Sequence, residues 1–381
     1  MFDVVVAGAG PAGSAATRAC AEAGLRTLCI EEHGTIGHPV QCAGLLSLAA
    51  FAECRVSSSP VLNTVQGARF IPSEGDPIFI DASRPMAYVV DRGLLDREMA
   101  ASAAKAGAEF LLKTSVVSFR DGHVVLKGVR GREEIGCSLL IAADGARSSI
   151  ARLLGLGRAE LYLSGLQAVA RCPADPRFVE IHPNASPEFF GWVIPVGNGI
   201  ARIGLCGEGD QRERLASLLR PYGGGILDLV SGALPLGPLP QTYGPRTLIV
   251  GDAAGMAKPT SGGGIYTGVR AARYAAVVAA ECCRKRSFGE SDLARYEGLW
   301  RADFGKELAL GMALYRARRE LSPADVDSLL AALNDPDIVR EIVELGDMDR
   351  PSALFRRLAL KPRVIWAAGI LLRGGLRAFL T

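Results

Sequence analysis

Four short stretches hold the residue types that could do chemistry. The first is Gly8-Ala9-Gly10-Pro11-Ala12-Gly13, which follows the apolar run Val4-Val5-Val6-Ala7 and leads at once into an alanine-rich helical pattern, Ser14 to Ala23. In such a strand–turn–helix, Gly8 permits the tight turn, Gly10 lets the backbone approach a pyrophosphate, and Gly13 lets helix and strand pack closely. The phosphates would then meet free N–H groups at the positive end of a helix. A second apolar run, Leu25 to Ile30, closes in Glu31-Glu32, ~20 residues beyond the glycines. A carboxylate there can accept hydrogen bonds from both ribose hydroxyls and repels a 2′-phosphate. These features predict a dinucleotide site.

The second stretch is the loop H-G-T-I-G-H-P-V-Q-C-A-G-L-L after Glu32, too long and too Gly-rich for a simple connection and therefore expected to be functional. It carries Cys42, together with His33 and His38, which without a third ligand read as solvated side chains rather than a metal site. The third is V-V-D-R, ending in Arg92, with D-G-A-R-S-S-I-A-R from Asp144 to Arg152 beyond it. The fourth is G-D-A-A-G (251–255) followed by P-T-S-G-G-G-I (259–265). Here a strand ends in Asp252, able to accept from a ribityl hydroxyl. A glycine cluster then starts a helix whose positive end could face a ring carbonyl.

The elements that must position these residues follow from periodicity. Short strands are predicted at 64–71, 76–81 and 86–90, then a helix capped by Asp91 with Leu94, Leu95, Met99 and Ala103 at helical spacing. Strand-like runs follow at 108–112, 114–119, 123–127 and 139–143. From 160 to 240 the texture becomes alternating strands (163–171, 177–182, 189–194, 199–206), with a helical stretch at 210–219 and a Gly/Pro cluster at 221–240. Leu248-Ile249-Val250 restores a buried strand before a long helix to Arg284. Residues 288–381 are helical by pattern, broken by Pro323, Pro336, Pro351 and Pro362. This predicts an α/β fold: a doubly wound cofactor domain from 1–62, 86–158 and 244–287, an inserted antiparallel sheet from 63–85 and 159–243, and a helical region over 288–381.

Bulk properties narrow the function. A chain of 381 residues can hold two to three domains. A net charge of +3, without a basic stripe interleaved with aromatics, gives no reason to expect nucleic acid. The nine cysteines are odd in number and form no CxxC pair, which predicts reduced thiols in a cytosolic protein, with neither a disulfide framework nor structural zinc. Met1 to Val6 runs straight into the first strand, so no signal peptide is expected. No apolar run reaches the ~18 residues of a spanning helix.

The GxGxxG start, the DGxxSxxR motif and the late GDA together resemble the FAD-dependent group that includes aromatic hydroxylases. Within it, P-V-Q-C-A-G-L (39–45) and P-E-F-F-G-W-V-I-P (187–195) resemble the geranylgeranyl reductase family, particularly archaeal digeranylgeranylglycerophospholipid reductases. The second motif is similar to the family's PxxYxWxFP signature, with Phe190 in place of Tyr and Ile194 in place of Phe. The resemblance implies that Gly8, Gly10, Ala12 and Gly13 hold the FAD pyrophosphate, with Arg92 also near it. Glu31 would bind the adenosine ribose, and Val116 would lie by the adenine. It places Cys42, Ala43 and Leu45 along the flavin, Asp252 on the ribityl chain, and the N–H groups of Gly264 and Ile265 at the isoalloxazine edge. Asp144 and Arg152 would be architectural. Phe189, Phe190, Trp192 and Pro195 would form the prenyl channel.

The implied reaction is hydride transfer from flavin N5 to an isolated prenyl C=C, with a proton added to the neighbouring carbon. Such an alkene has no carbonyl to polarise, so positioning and a dry cavity must dominate. Cys42 is the side-chain candidate for the proton; its alternative role is packing. Electrons would come from a low-potential donor, since no second GxGxxG suggests an NAD(P)H site. The other readings are a flavin monooxygenase or halogenase of the same fold, a geranylgeranyl diphosphate or chlorophyll-type reductase, and a prenyl carrier that has lost FAD. From Arg350 onward seven basic residues and no acid alternate with clusters such as Val364-Ile365-Trp366 and Ile370-Leu371-Leu372. That pattern suits an amphipathic helix lying peripherally on an anionic cytoplasmic membrane face, or a helix docked on the core or a second copy.

Overall fold

A computed structural model describes residues 1–223, 225–358, 361 and 369. The first half runs β1 (Phe2–Ala7), α1 (Pro11–Glu22), β2 (Thr27–Ile30), β3 (Leu45–Ser47), α2 (Leu48–Cys54), β4 (Val61–Val65), β5 (Gly67–Phe70), β6 (Ile78–Asp81), β7 (Ala87–Val90), α3 (Arg92–Lys105), β8 (Glu109–Leu111), β9 (Ser115–Arg120), β10 (His123–Gly128), β11 (Gly131–Ala142) and α4 (Ser149–Leu153). It continues with β12 (Leu161–Arg171), β13 (Phe178–His182), β14 (Gly191–Gly197), β15 (Ile200–Gly207), α5 (Arg212–Leu219), β16 (Ile226–Leu236), β17 (Tyr243–Gly244) and β18 (Thr247–Ile249). The helices α6 (Ile265–Lys285), α7 (Glu290–Trp300), α8 (Lys306–Arg319), α9 (Pro323–Leu333), α10 (Pro336–Leu345) and α11 (Ser352–Leu358) complete it.

One sheet carries the order β17-β18-β11-β1-β2-β8, parallel from β18 to β8, with the β9–β10 hairpin extending from β11. Strand order reverses around β1, so the turn after β1 sits where open α/β sheets bind ligands. Its strands are buried on both faces, as a parallel sheet requires: Val4, Val6, Leu139 to Ala142 and Leu248 to Val250 have no exposed surface. α1 and α6 cover one side with alanines, which lets both helices approach the sheet closely.

The second sheet, β16-β12-β15-β14-β13-β5-β6, is antiparallel except at one seam. There β13 runs parallel to β5, with Phe178 opposite Gly67. A small sheet, β3-β7-β4, joins the two.

Two local expectations change. The stretch 64–71 is two strands in different sheets, broken at Gln66. The Gly/Pro cluster at 221–240 conceals the long edge strand β16, because its Gly232 and Pro235 interrupt the alternation that marks a strand. The helices after 288 do not keep to a core of their own. Leu293, Tyr296, Trp300, Phe304 and Leu308 complete the core under the first sheet, while Met312 and Tyr315 pack with Phe189 under the second. Each such fully buried side chain contributes ~1.5–3 kcal/mol.

Candidate active site

Between the two sheets lies one cavity of 1160 Å³, larger than the ~300–1,000 Å³ usual for a single ligand. Its walls change character from end to end.

At the first sheet, backbone dominates. α1 begins at Gly10 with Pro11 at its first position, and α6 begins at Gly264; neither N-terminus is capped by a side chain. Gly10, Pro11, Ala12, Gly264 and Ile265 all line the cavity. Two positive helix ends with free N–H groups therefore face the same space. The three glycines of the first motif have different surroundings. A Cβ on Gly8, whose φ is +98°, would strike the Ala143 carbonyl, and one on Gly13 would run into the Gly8 carbonyl. A Cβ on Gly10 would meet nothing within 4 Å. Gly8 and Gly13 thus serve close packing, and the room at Gly10 is room for a ligand.

Arg92 and Asp252 supply the charge. Arg92 is held by Asp96 at 3.0 Å, with Cys42 nearby. Burial opposes its charge, yet Asp96 and Cys42 hold the guanidinium pKa above its ordinary value. Asp252 lines the cavity, and no donor among the described residues hydrogen-bonds its carboxylate. Burial pushes its pKa up, with Arg92 pulling the other way. An open glycine cradle, two uncapped helix ends and a carboxylate without a donor fit a dinucleotide carrying a polyol, as FAD does.

Glu31 already works inside the protein. It accepts from the N–H of Ala9 at 2.8 Å and from that of His33 at 2.9 Å, tying the glycine turn to the following loop. The His33 ring also meets it, at 2.7 Å, so this histidine is paired rather than merely solvated. Glu31 and Val116 lie outside the cavity wall, and Val116 packs its side chain into the main core. Asp144 accepts from Ser148 Oγ at 2.6 Å and from the N–H of Ser149 at 2.8 Å, holding the start of α4.

The loop after Glu31 brings Cys42, Ala43 and Leu45 to the wall. Cys42 is half-buried, and its sulfur accepts from the Gly44 N–H at 3.3 Å. All nine cysteines are free. Burial pushes the thiols of Cys29, Cys54, Cys137 and Cys206 up to about 12, away from reactivity. Sequence reasoning missed Arg202, which donates to the carbonyls of Ala43 at 2.8 Å and Val90 at 3.0 Å and so pins this loop. The signal was an arginine inside the apolar run Ile200 to Cys206.

At the second sheet, side chains form the wall. Phe189 and Phe190 stack with centroids 4.3 Å apart, and Phe190 meets Trp192 edge-on at 6.3 Å. Trp192 donates from Nε1 to Gln167 at 2.9 Å, a partner not foreseen from sequence. Ile194 lines the cavity; its neighbour Pro195 is buried outside the wall, with its carbonyl accepting from Asn63 at 2.9 Å. β16 adds Val230 and Leu234, and the segment 342–349 adds Leu345 and Met348.

The membrane motif falls largely outside the described residues, including Val364 to Trp366 and Ile370 to Leu372. Of its basic residues, Arg350 pairs with Asp303 at 2.5 Å, and Arg357 and Lys361 meet Glu341 at 3.8 and 2.8 Å. The acids that neutralise them come from earlier helices, which a count over the terminal stretch could not reveal. No helix among the described residues is long and apolar enough to cross a membrane.

Comparison with known proteins agrees with this geometry. Residues 1–216 match the FAD binding domain family. The chain is 33% identical to digeranylgeranylglycerophospholipid reductase 2 of Methanothermobacter thermautotrophicus, over 88% of this chain and 93% of that one. It is 29% identical to digeranylgeranylglycerophospholipid reductase of Methanothrix thermoacetophila, over 96% and 97%. A geranylgeranyl bacteriochlorophyll reductase-like protein from Thermoplasma acidophilum superposes with a TM-score of 0.87 at 26% identity, covering 97% of this chain and 99% of that one. A flavin-dependent brominase shares the fold at 18% identity and a TM-score of 0.69. On these grounds the chain belongs to the digeranylgeranylglycerophospholipid reductase family of FAD-binding proteins.

Proposed function

We infer that this protein is an FAD-dependent reductase that saturates C=C bonds in the geranylgeranyl chains of archaeal-type membrane lipid precursors. The observation that carries this reading is the continuity of the cavity. Helix ends and Asp252 at one end open directly onto stacked aromatics and aliphatic side chains at the other, with Cys42 on the wall. When bound, FAD supplies the hydride.

The remaining work belongs to the chain. Gly10, Ala12 and Arg92 hold the pyrophosphate, supported by Gly8 and Gly13 behind them. Asp252 accepts from the ribityl chain, and the N–H groups of Gly264 and Ile265 stabilise negative charge at the flavin edge. Glu31 keeps lone pairs for the ribose beyond those spent on Ala9 and His33. The backbone at Val116 flanks the adenine. Phe189, Phe190 and Trp192 align the prenyl chain and exclude water, with Pro195 fixing the strand behind them. Cys42 holds the proton at Sγ, its side chain oriented by the Gly44 N–H.

Segments 1–62, 86–158 and 244–287 serve the cofactor, and 63–85 with 159–243 serve the lipid. A low-potential donor supplies electrons, and contact with the cytoplasmic membrane face is peripheral. The family's lipid substrates support that contact.

The test is anaerobic. Dithionite-reduced protein is given either digeranylgeranylglycerophospholipid or geranylgeranyl diphosphate, and products are read by mass spectrometry. The phospholipid is expected to gain two hydrogens per double bond reduced. Conversion of the diphosphate alone would reassign the substrate, and conversion of neither would reject the reductase reading.

A further inference from the structure

We propose that the buried Lys258–Asp349 pair is a positioning device that fixes residues 345–354 as a wall of the prenyl channel and so sets how far a lipid chain enters. This rests on the reductase reading for its substrate, but the geometry stands by itself. Lys258 and Asp349 are only 6% and 2% exposed. Lys258 Nζ donates to a carboxylate oxygen of Asp349 and to the Met348 carbonyl at 2.8 Å, while Ser47 donates to the other Asp349 oxygen.

Three cavity walls therefore meet at one carboxylate. Ser47 follows the Cys42 loop and caps α2. Lys258 belongs to the turn that leads into α6, a turn closed on itself by Gly262 N–H to Lys258 O at 2.8 Å and Lys258 N–H to Gly263 O at 3.1 Å. Asp349 belongs to the terminal segment, which lines the cavity with Leu345, Met348 and Leu354.

Neighbouring contacts hold the same segment and the helix that leads into it. Arg350 donates to the Tyr266 hydroxyl at 3.0 Å, the Ser352 N–H donates to Glu307 at 3.0 Å, and Arg84 donates to the Val343 carbonyl at 2.9 Å. A buried ion pair seldom adds net stability, but it can fix one register where apolar packing would allow several. Here the register so fixed is that of Met348 and Leu345 relative to the glycine turn at the flavin edge.

The experiment uses full-length, FAD-loaded protein carrying Asp349→Asn, and a second variant, Lys258→Met with Asp349→Leu, which leaves no buried charge unpaired. Trypsin cleavage after Arg356 and Arg357, in the helix that continues the wall, reports its opening. KM, kcat and the spread of partly saturated products from anaerobic digeranylgeranylglycerophospholipid report its effect on the substrate.

Both variants are expected to keep flavin, to be cleaved about 10-fold faster through local opening, and to show KM raised about 10-fold with kcat within about 2-fold. Partly saturated products should also accumulate. Unchanged cleavage in folded, flavin-loaded variants would overturn the proposal. So would loss of flavin with the segment still protected, since the pair would then serve the cofactor turn alone. If the wild-type protein left the lipid unsaturated, the reductase reading would fall, while the trypsin result would still decide the positioning role.

Discussion

Around the cofactor end of the cavity the protein presents backbone: two uncapped helix N-termini, glycine turns and one carboxylate without a donor. Around the lipid end it presents side chains: stacked Phe189 and Phe190, Trp192 braced by Gln167, and aliphatic residues from three separate segments. A polar cofactor needs donors at fixed positions, which only particular residues at particular spacing provide. A flexible apolar chain needs shape, which many residue combinations provide. The two ends should therefore fail differently when altered.

The largest effect is expected from Gly13→Val. Its side chain would drive into the backbone of Gly8, so we expect a loss of about 4 kcal/mol or more, with little soluble holoprotein, measured by chemical denaturation. Gly10→Val is the counterpart: with open space at this position the fold should persist while the yellow colour is lost. A Gly10→Val protein with full flavin content would contradict the pyrophosphate assignment.

At the lipid end, Trp192→Ala should keep FAD, cost about 3 kcal/mol from lost packing and an unpaired Gln167, and raise KM. Denaturation and steady-state kinetics check it. Cys42→Ala should bind FAD normally and react about 10²-fold more slowly, the usual contribution of a positioned proton donor. Unchanged turnover would reduce Cys42 to packing.

The smallest effect concerns pH. Burial acts to raise the Glu180 pKa, but His182 at 3.6 Å, the hydrogen bond from Tyr222 and the Arg69 guanidinium at 2.9 Å bring it below its ordinary value. A carboxylate with a lowered native pKa stabilises the fold above its unfolded value of ~4.3, and that stability is lost as pH falls through the native value. Tyr222→Phe removes a 2.5 Å hydrogen bond to Glu180. It should cost about 1 kcal/mol at neutral pH and make the acid loss shallower, as followed by denaturation from pH 6 to 3.

The same contrast explains what could be read in advance. Gly8, Gly10, Gly13, Arg92, Asp252 and Gly264 were legible because a turn, a helix start or a polar group constrains residue type at a fixed offset. β16 was not, since Gly232 and Pro235 mask its alternation. Nor was the terminal wall, because Lys258 and Asp349 are 91 positions apart and only the fold brings them together. Arg202 and Gln167 were likewise invisible, as single polar residues on apolar strands whose partners come from other elements. Pairing of Arg350, Arg357 and Lys361 with acids from earlier helices shows that a local count of charge says little about what remains exposed.

The joining of the two ends is tested most directly by mixing reduced, oxygen-free protein with a geranylgeranylated glycerolipid and following flavin absorbance. One cavity shared by cofactor and prenyl chain predicts that oxidised flavin returns without oxygen, one equivalent for each double bond saturated. Flavin that stays reduced until oxygen is admitted would contradict it.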